Sequence, residues 1–294
     1  MIDLLDLHTH TTASGHAYNS LYEMVHSASA KGLSLFGCSD HAPAMPGSCH
    51  SFHFINFKVL PRTLYGVRLM MGAELNIMDY DGTVDLEQSV LEPLDYAIAS
   101  LHQPCIHSGT ALQNTNAYLG ALKNPLIHII GHPDDSRFPA DYETLAAAAA
   151  QHHKLLEVNN SSLNPKGFRQ NTRENYKTLL EYCRKYHTHI ILDSDAHICF
   201  DVGNHTYIHQ LLEEIDFPEE LIVNTSLKKL AEFLLIAKKN SYAGNGAEEK
   251  QPCRPLSHDF IYEDEDFLYL DTYLGGTAFS GEEAVWEKQQ DKRV

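Results

Sequence analysis

Seven short apolar runs recur along the chain, at 2–10, 33–41, 67–77, 96–102, 127–133, 154–160 and 189–197, and each carries His, Glu, Asp or Asn at or near its C-terminal end. Runs of this length bounded by polar clusters predict β-strands. Between them, the segments 19–31, 110–123, 141–153 and 171–186 place apolar residues at helical spacing, the last of them rich in Glu, Lys, Leu and Tyr. Strand, helix, strand, helix in that order implies parallel strands joined by right-handed crossovers. Seven such units are more than an open sheet usually needs, so the pattern predicts an α/β fold closed into a (β/α) TIM-like barrel.

In such a barrel the residues that follow the strands face one shared mouth. The stretch "DLHTH" ends the first run, and strand side chains repeat with period two, so His8 and His10 are expected on one wall. His41, Glu74, His102, His132, Asp195 and His197 arrive at equivalent strand ends, and His16 reaches in from the first loop. Seven imidazoles and two carboxylates are too many donors for one four-coordinate ion. The set implies two or three metal ions, and a carboxylate such as Glu74 can bridge two of them.

Composition narrows the class. The chain has 294 residues, 43% of them hydrophobic, enough for one large domain and a short addition. A formal charge of −17 argues against a nucleic-acid partner held by phosphate neutralisation, and equally against an acidic membrane surface. Six cysteines without a C-x-x-C pair read as reduced thiols. No start segment has the apolar core of a signal peptide and no later one could span a bilayer, so the expected location is the cytoplasm.

The motifs "LHTHTTASGHAYNS", "CSDHAP", "GAELNI", "ASLH", "GHPDD", "EVNNSSL" and "DSDAH" resemble, in order and spacing, those of the PHP (polymerase and histidinol phosphatase) family, and most of all its small bacterial phosphatases. The resemblance covers about residues 1–235. It implies a distorted seven-stranded barrel and a trinuclear centre. His8, His10 and Asp195 would hold one ion together with Glu74, which bridges to a second ion held by His102 and His132. His16, His41 and His197 would hold the third. All nine positions carry the residue type the family requires. The cofactors implied are three divalent ions; zinc suits imidazole-rich sites, and manganese or iron accepts the same donors.

The chemistry this implies is hydrolysis of small phosphate monoesters by a metal-activated hydroxide, with a small phosphorylated metabolite as partner. Catalysis would depend most directly on Glu74, Asp195 and His197. No G-x-S-x-G elbow, C-x5-R loop or P-loop is present. For substrate grip the strand-end loops offer Arg169, Asn160 and Arg62, with His53, Lys166 and Arg137 as further polar groups; Lys166 and Arg137 read as solvated or salt-bridged. The alternatives are a histidinol-phosphate phosphatase, a phosphodiesterase or exonuclease of PHP type, and a non-enzymatic scaffold or binding module. A metal-dependent amidohydrolase shares the His-x-His start, but Glu74 stands where a bridging lysine would be needed. The remaining histidines, His205 and His209 among them, lie away from the strand ends and read as non-ligands.

Gly and Pro punctuation after "SLKKLAEFLLIAKKN" marks a boundary, with 1–238 as the barrel and 239–294 as an extension. The extension alternates acids with aromatics and reads as one or two strands with turns. It resembles the opening of a small bacterial domain of unknown function.

Overall fold

The computed structural model describes residues 3–231 and the backbone of three further strands within 258–287. Chain contacts divide it into two units, Met1–Gly244 and Asn245–Val294. The boundary expected between 238 and 239 lies outside the described residues. The order in the first unit is β1 (Leu5–Asp6), α1 (Leu21–Ala30), β2 (Leu35–Cys38), α2 (Phe52–Ile55), β3 (Thr63–Leu64), β4 (Val67–Asn76), α3 (Gln88–Leu91), β5 (Tyr96–Ser100), α4 (Ala111–Leu122), β6 (Ile129–Ile130), α5 (Tyr142–Gln151), β7 (Leu155–Asn159), α6 (Thr172–Tyr186), β8 (Ile190–Asp193) and α7 (Thr206–Glu214).

Seven strands run parallel in the order β1-β2-β4-β5-β6-β7-β8, and β3 forms an antiparallel hairpin with β4. This is the α/β barrel that the pattern predicts, nearly closed. The helix starts follow from local chemistry. Ser20 with Glu23 and Thr110 with Gln113 form reciprocal capping boxes on α1 and α4, and the Asp141 side chain accepts from Thr144 N on α5. The hairpin, α2, α3 and α7 lie outside the segments the spacing predicts; α2 and α3 are four residues long, too short to show a helical period.

The strands are shorter than the apolar runs: β6 keeps two residues of the run 127–133, and β1 two of the run 2–10. At the C-terminal ends, side chains take over from the ladder. Leu7 N donates to Asp193 Oδ1 at 2.7 Å and Ser194 N to Asp6 Oδ1 at 3.1 Å. Asn224 spans the same seam: its amide donates to Leu5 O and Leu192 O, while its carbonyl accepts from Leu192 N. Among the described residues no ladder joins β1 to β8; just beyond them the isolated bridge Thr9↔Ala196 adds backbone bonds from His10 N to Ala196 O and from Ala196 N to His8 O, so the barrel closes on side chains and this one bridge.

Two apolar layers enclose the strands. Outside, Ala97, Ile130, Leu156 and Leu192 pack against Tyr118, Leu145, Leu179 and Leu211 of the helices. Inside, Leu5, Leu7, Leu35, Tyr96, Ile98, Ile129, Leu155 and Ile191 fill the barrel floor. Tyr96 is fully buried, and its hydroxyl donates to Leu7 O at 2.5 Å. Two glycines make room for its ring: a Cβ on Gly37 would lie 2.4 Å from Tyr96 Oη, and one on Gly72 would lie 2.6 Å from the ring. Because Leu5 and Leu7 already face inward, an unbroken strand would send His8 and His10 outward; leaving the ladder after Asp6 lets both enter the mouth.

The second unit contains β9 (His258–Glu263), β10 (Phe267–Leu274) and β11 (Ser280–Glu287), antiparallel in the order β11-β10-β9. Tyr269 pairs with Tyr262 on one side and with Val285 on the other. The extension is β-rich as expected, with three strands where the pattern of acids and aromatics predicts one or two.

Replacing Gly72 by Ala forces a methyl group onto the Tyr96 ring, and overpacking of this kind costs about 1–3 kcal/mol. Urea unfolding of Gly72→Ala is expected to show a lowered midpoint. An unchanged midpoint would mean that the ring has space to move aside.

Candidate metal centre

The mouth of the barrel is organised around Glu74, which is 1% exposed. Its Oε2 lies 3.3 Å from His8 Nε2, 3.6 Å from His10 Nε2 and 2.7 Å from His41 Nδ1. Its Oε1 lies 3.2 Å from His102 Nε2 and 2.9 Å from His132 Nε2. Asp195 Oδ1 faces the same two nitrogens as Glu74 Oε2, 3.6 Å from His8 Nε2 and 3.2 Å from His10 Nε2. For zinc bonds of ordinary length the edges of a tetrahedron are about 3.3 Å, which matches these spacings.

The outer nitrogens decide what the inner ones can be. His16 Nδ1 and His197 Nδ1 donate to the backbone carbonyls of Ser14 and Asp195, each at 3.0 Å. A carbonyl only accepts, so both Nδ1 atoms carry hydrogen. The two Nε2 atoms then present lone pairs to each other at 3.0 Å, an arrangement that repels unless a cation or a proton lies between them. The same logic holds around the mouth. His8 Nδ1 donates to Glu157 Oε1 at 2.5 Å, and His102 Nδ1 to Asn76 Oδ1 at 2.7 Å. The Asn76 amide is itself fixed by donating to Ala42 O and Asp85 Oδ2. Ser14 gives its hydroxyl hydrogen to Asp40 Oδ1 at 2.6 Å and so accepts from His10 Nδ1 at 3.1 Å. His8 Nε2, His10 Nε2 and His41 Nδ1 are buried without an aligned hydrogen bond, although carboxylate oxygens stand close. Buried polar atoms left in this state signal an ion.

The electrostatics point the same way. Burial alone would raise the Glu74 and Asp195 carboxyls, but the imidazoles around them, His8 foremost, hold both well below the ordinary carboxylate range. Burial and the neighbouring imidazoles of His197 and His41 lower His10 and His16, and burial outweighs Glu74 at His102. Those rings are held neutral, which is the ligating form. At His8 burial is outweighed by Glu157, Glu74 and Asp195, which raise it well above its usual value. Three carboxylates around one ring create a demand for positive charge that an ion can meet. The backbone contributes as well: His132 and Asp195 adopt φ of +28° and +55°. Such conformations cost about 1–3 kcal/mol each and are retained where a side chain must be aimed.

The nine residues expected from the strand ends therefore meet at one mouth. The three groups expected to grip substrate do not. Arg169 is there, 8% exposed, with Nη1 and Nη2 each 3.2 Å from Asp195 Oδ2 and Nη1 3.0 Å from Ser162 Oγ. Asn160 instead gives its side-chain oxygen to the amides of Tyr207 and Ile208 at the start of α7, which removes it from the mouth. Arg62 lies beside β3, forked on Asp95, the residue that precedes β5, and so sits at the opposite end of the strands. An isolated sequence shows a polar residue in a loop but not the partner that claims it. Of the other polar groups, His53 Nε2 contacts Asp40, Arg137 is paired with Asp135, and Lys166 is exposed.

Glu157, Asn76, Asp40 and Ser14, which orient the ligands, were missed. For Glu157 a signal existed: a charged residue in the middle of an apolar strand is costly unless something binds it. Among the described residues Cys38, Cys49, Cys105, Cys183 and Cys199 are free thiols.

A parallel α/β barrel whose strand ends converge on imidazoles and carboxylates is the architecture of a metal-binding barrel protein. The PHP domain model matches residues 6–206, and this chain belongs to that family. A protein named "probable phosphatase" from Clostridium novyi is 44% identical over 231 residues, covering 79% of this chain and 94% of that one. Another, from Caldicellulosiruptor saccharolyticus, is 46% identical over 236 residues, covering 80% and 98%. Among solved structures, histidinol phosphate phosphatase from Lactococcus lactis, complexed with zinc, L-histidinol and phosphate, superposes with a TM-score of 0.51 at 18% identity. That match covers 74% of this chain and 95% of the other, and it corroborates the barrel.

Removing the charge that orients His8 is expected to loosen the centre. Glu157→Gln should keep the circular-dichroism spectrum while metal affinity, read by competition with a chromophoric chelator, falls about 10–100-fold. Wild-type affinity in that variant would remove Glu157 from the orienting role.

Proposed function

We propose that this chain is a metal-dependent phosphatase acting on small phosphate monoesters. The observation that carries the reading is the His16–His197 pair, whose Nε2 atoms face each other at 3.0 Å while each Nδ1 donates to a backbone carbonyl. Under this reading three divalent ions are held. His8, His10, Asp195 and Glu74 bind the first, Glu74, His102 and His132 the second, and His16, His41 and His197 the third. Zinc suits this donor set, with manganese or iron as alternatives. When bound, such ions polarise phosphoryl oxygens and make a water acidic enough to attack phosphorus at neutral pH.

The protein's own groups do the rest. Glu74 offers one oxygen to each side, so it fixes the separation between the two donor sets. Arg169 is anchored on Asp195 and Ser162 at the edge of the ligand cluster, where its remaining N–H groups can take a phosphate oxygen. Phe168, 70% exposed, lies against both Arg137 and Arg169, so an apolar face borders the cationic one and can receive the organic part of a monoester. A formal charge of −17 opposes attraction to a polyanionic backbone, which favours a small metabolite over a polynucleotide. Among the described residues no helix is long and apolar enough to cross a membrane.

The test is hydrolysis of p-nitrophenyl phosphate, bis-p-nitrophenyl phosphate and histidinol phosphate by metal-loaded protein. Monoester turnover is expected, lost on chelation and in Glu74→Gln, with no comparable diester cleavage. Diester preference would turn the reading to a phosphodiesterase, and an inert, fully loaded protein to a binding module. If Arg169 holds the phosphate, Arg169→Lys should raise KM about tenfold or more; an unchanged KM would take it out of the substrate site.

A further inference from the structure

A second group of metal-type donors stands apart from the nine. Asp3, just before β1, meets His205 and His209 at the start of α7. His205 Nδ1 lies 2.8 Å from Asp3 Oδ2, and His209 Nε2 lies 2.6 Å from the same oxygen. The two histidines are four residues apart on one helix face, the spacing that lets two imidazoles share a ligand. One oxygen, one nitrogen and another nitrogen thus come within 4.8 Å of one another.

As a plain hydrogen-bonded triad the arrangement is unbalanced. His205 Nδ1 and His209 Nε2 both address one carboxylate oxygen, while Asp3 Oδ1 is buried with no partner. A buried polar atom without a partner needs a cause. An ion among the three would use the carboxylate and both rings at once, with the side chains opening by about half an ångström to ordinary zinc bond lengths. The His209 side chain is 36% exposed, so an ion can enter from solvent and a water can complete its coordination.

The geometry points to a further divalent-cation site formed by Asp3, His205 and His209, with zinc or a similar imidazole-binding transition metal as its ion. Two imidazoles and one carboxylate select such a metal over magnesium or calcium. The site ties the segment before β1 to the helix after β8, across the seam that lacks a strand ladder. It is a structural clasp, independent of the chemistry at the mouth, and binding there adds to folding stability.

The experiment compares wild type, His209→Gln and Asp3→Asn, each stripped of metal, reloaded with zinc, desalted and analysed for zinc per chain. Both variants are expected to hold one zinc fewer than wild type and to melt at lower temperature, with p-nitrophenyl phosphate turnover within about twofold of wild type. An equal zinc count in either folded variant overturns the site and leaves a hydrogen-bonded triad. Wild-type protein supplies a second readout that requires no variant. Carbethoxylation of His209, localised by fragment masses, should be at least tenfold slower in zinc-loaded than in zinc-free protein, and equal rates overturn the site as well.

Discussion

One buried carboxylate, Glu74, faces five imidazoles, and the rest of the barrel mouth is arranged to make that tolerable. Unpaired lone pairs and a buried negative charge at this density would be costly in an apolar interior. They are held together because several of the rings are pinned from behind. Glu157, Asn76 and Ser14 take the outward N–H groups of His8, His102 and His10, and the carbonyls of Ser14 and Asp195 take those of His16 and His197, which turns the other nitrogen of each ring inward. The positive φ values at His132 and Asp195 belong to the same account: local strain is retained where aim matters.

The scaffold below the mouth is suited to holding such a centre. Tyr96, admitted by two glycines, fills the barrel floor and reaches the carbonyl of Leu7, one residue before the first ligand. The Tyr96 hydroxyl therefore ties the apolar plug to the polar mouth. Closure is the weaker point. Between β1 and β8, Asp193, Asp6 and Asn224 do with side chains what other strands do with backbone, and the first ligands, His8 and His10, leave directly from this seam. Whatever holds the seam also holds the ligands, which gives the Asp3–His205–His209 group its place in the fold.

Much of this was legible in the chain itself. Apolar runs ending in His, Glu or Asp give the parallel barrel and bring the nine mouth residues to one end, because a strand's C-terminal end and its crossover leave little choice of where the next residue can point. The capping boxes at Ser20 and Thr110 mark their helices for a similar reason, since the partners are three residues apart. These are local or periodic signals, set by backbone geometry and burial of apolar surface.

What tertiary structure alone decided are the pairings between distant residues. Arg62 and Asn160 look as eligible for substrate as Arg169 does, until Asp95 and the amides of α7 claim them. Asp3 lies some two hundred residues from His205 and His209 in sequence, and they meet only because the segment before β1 and the start of α7 share the seam. The chain determined which residues are polar and roughly where its strands end. Folding decided which of them face each other, because a side chain's partner depends on through-space neighbours that no short-range period encodes.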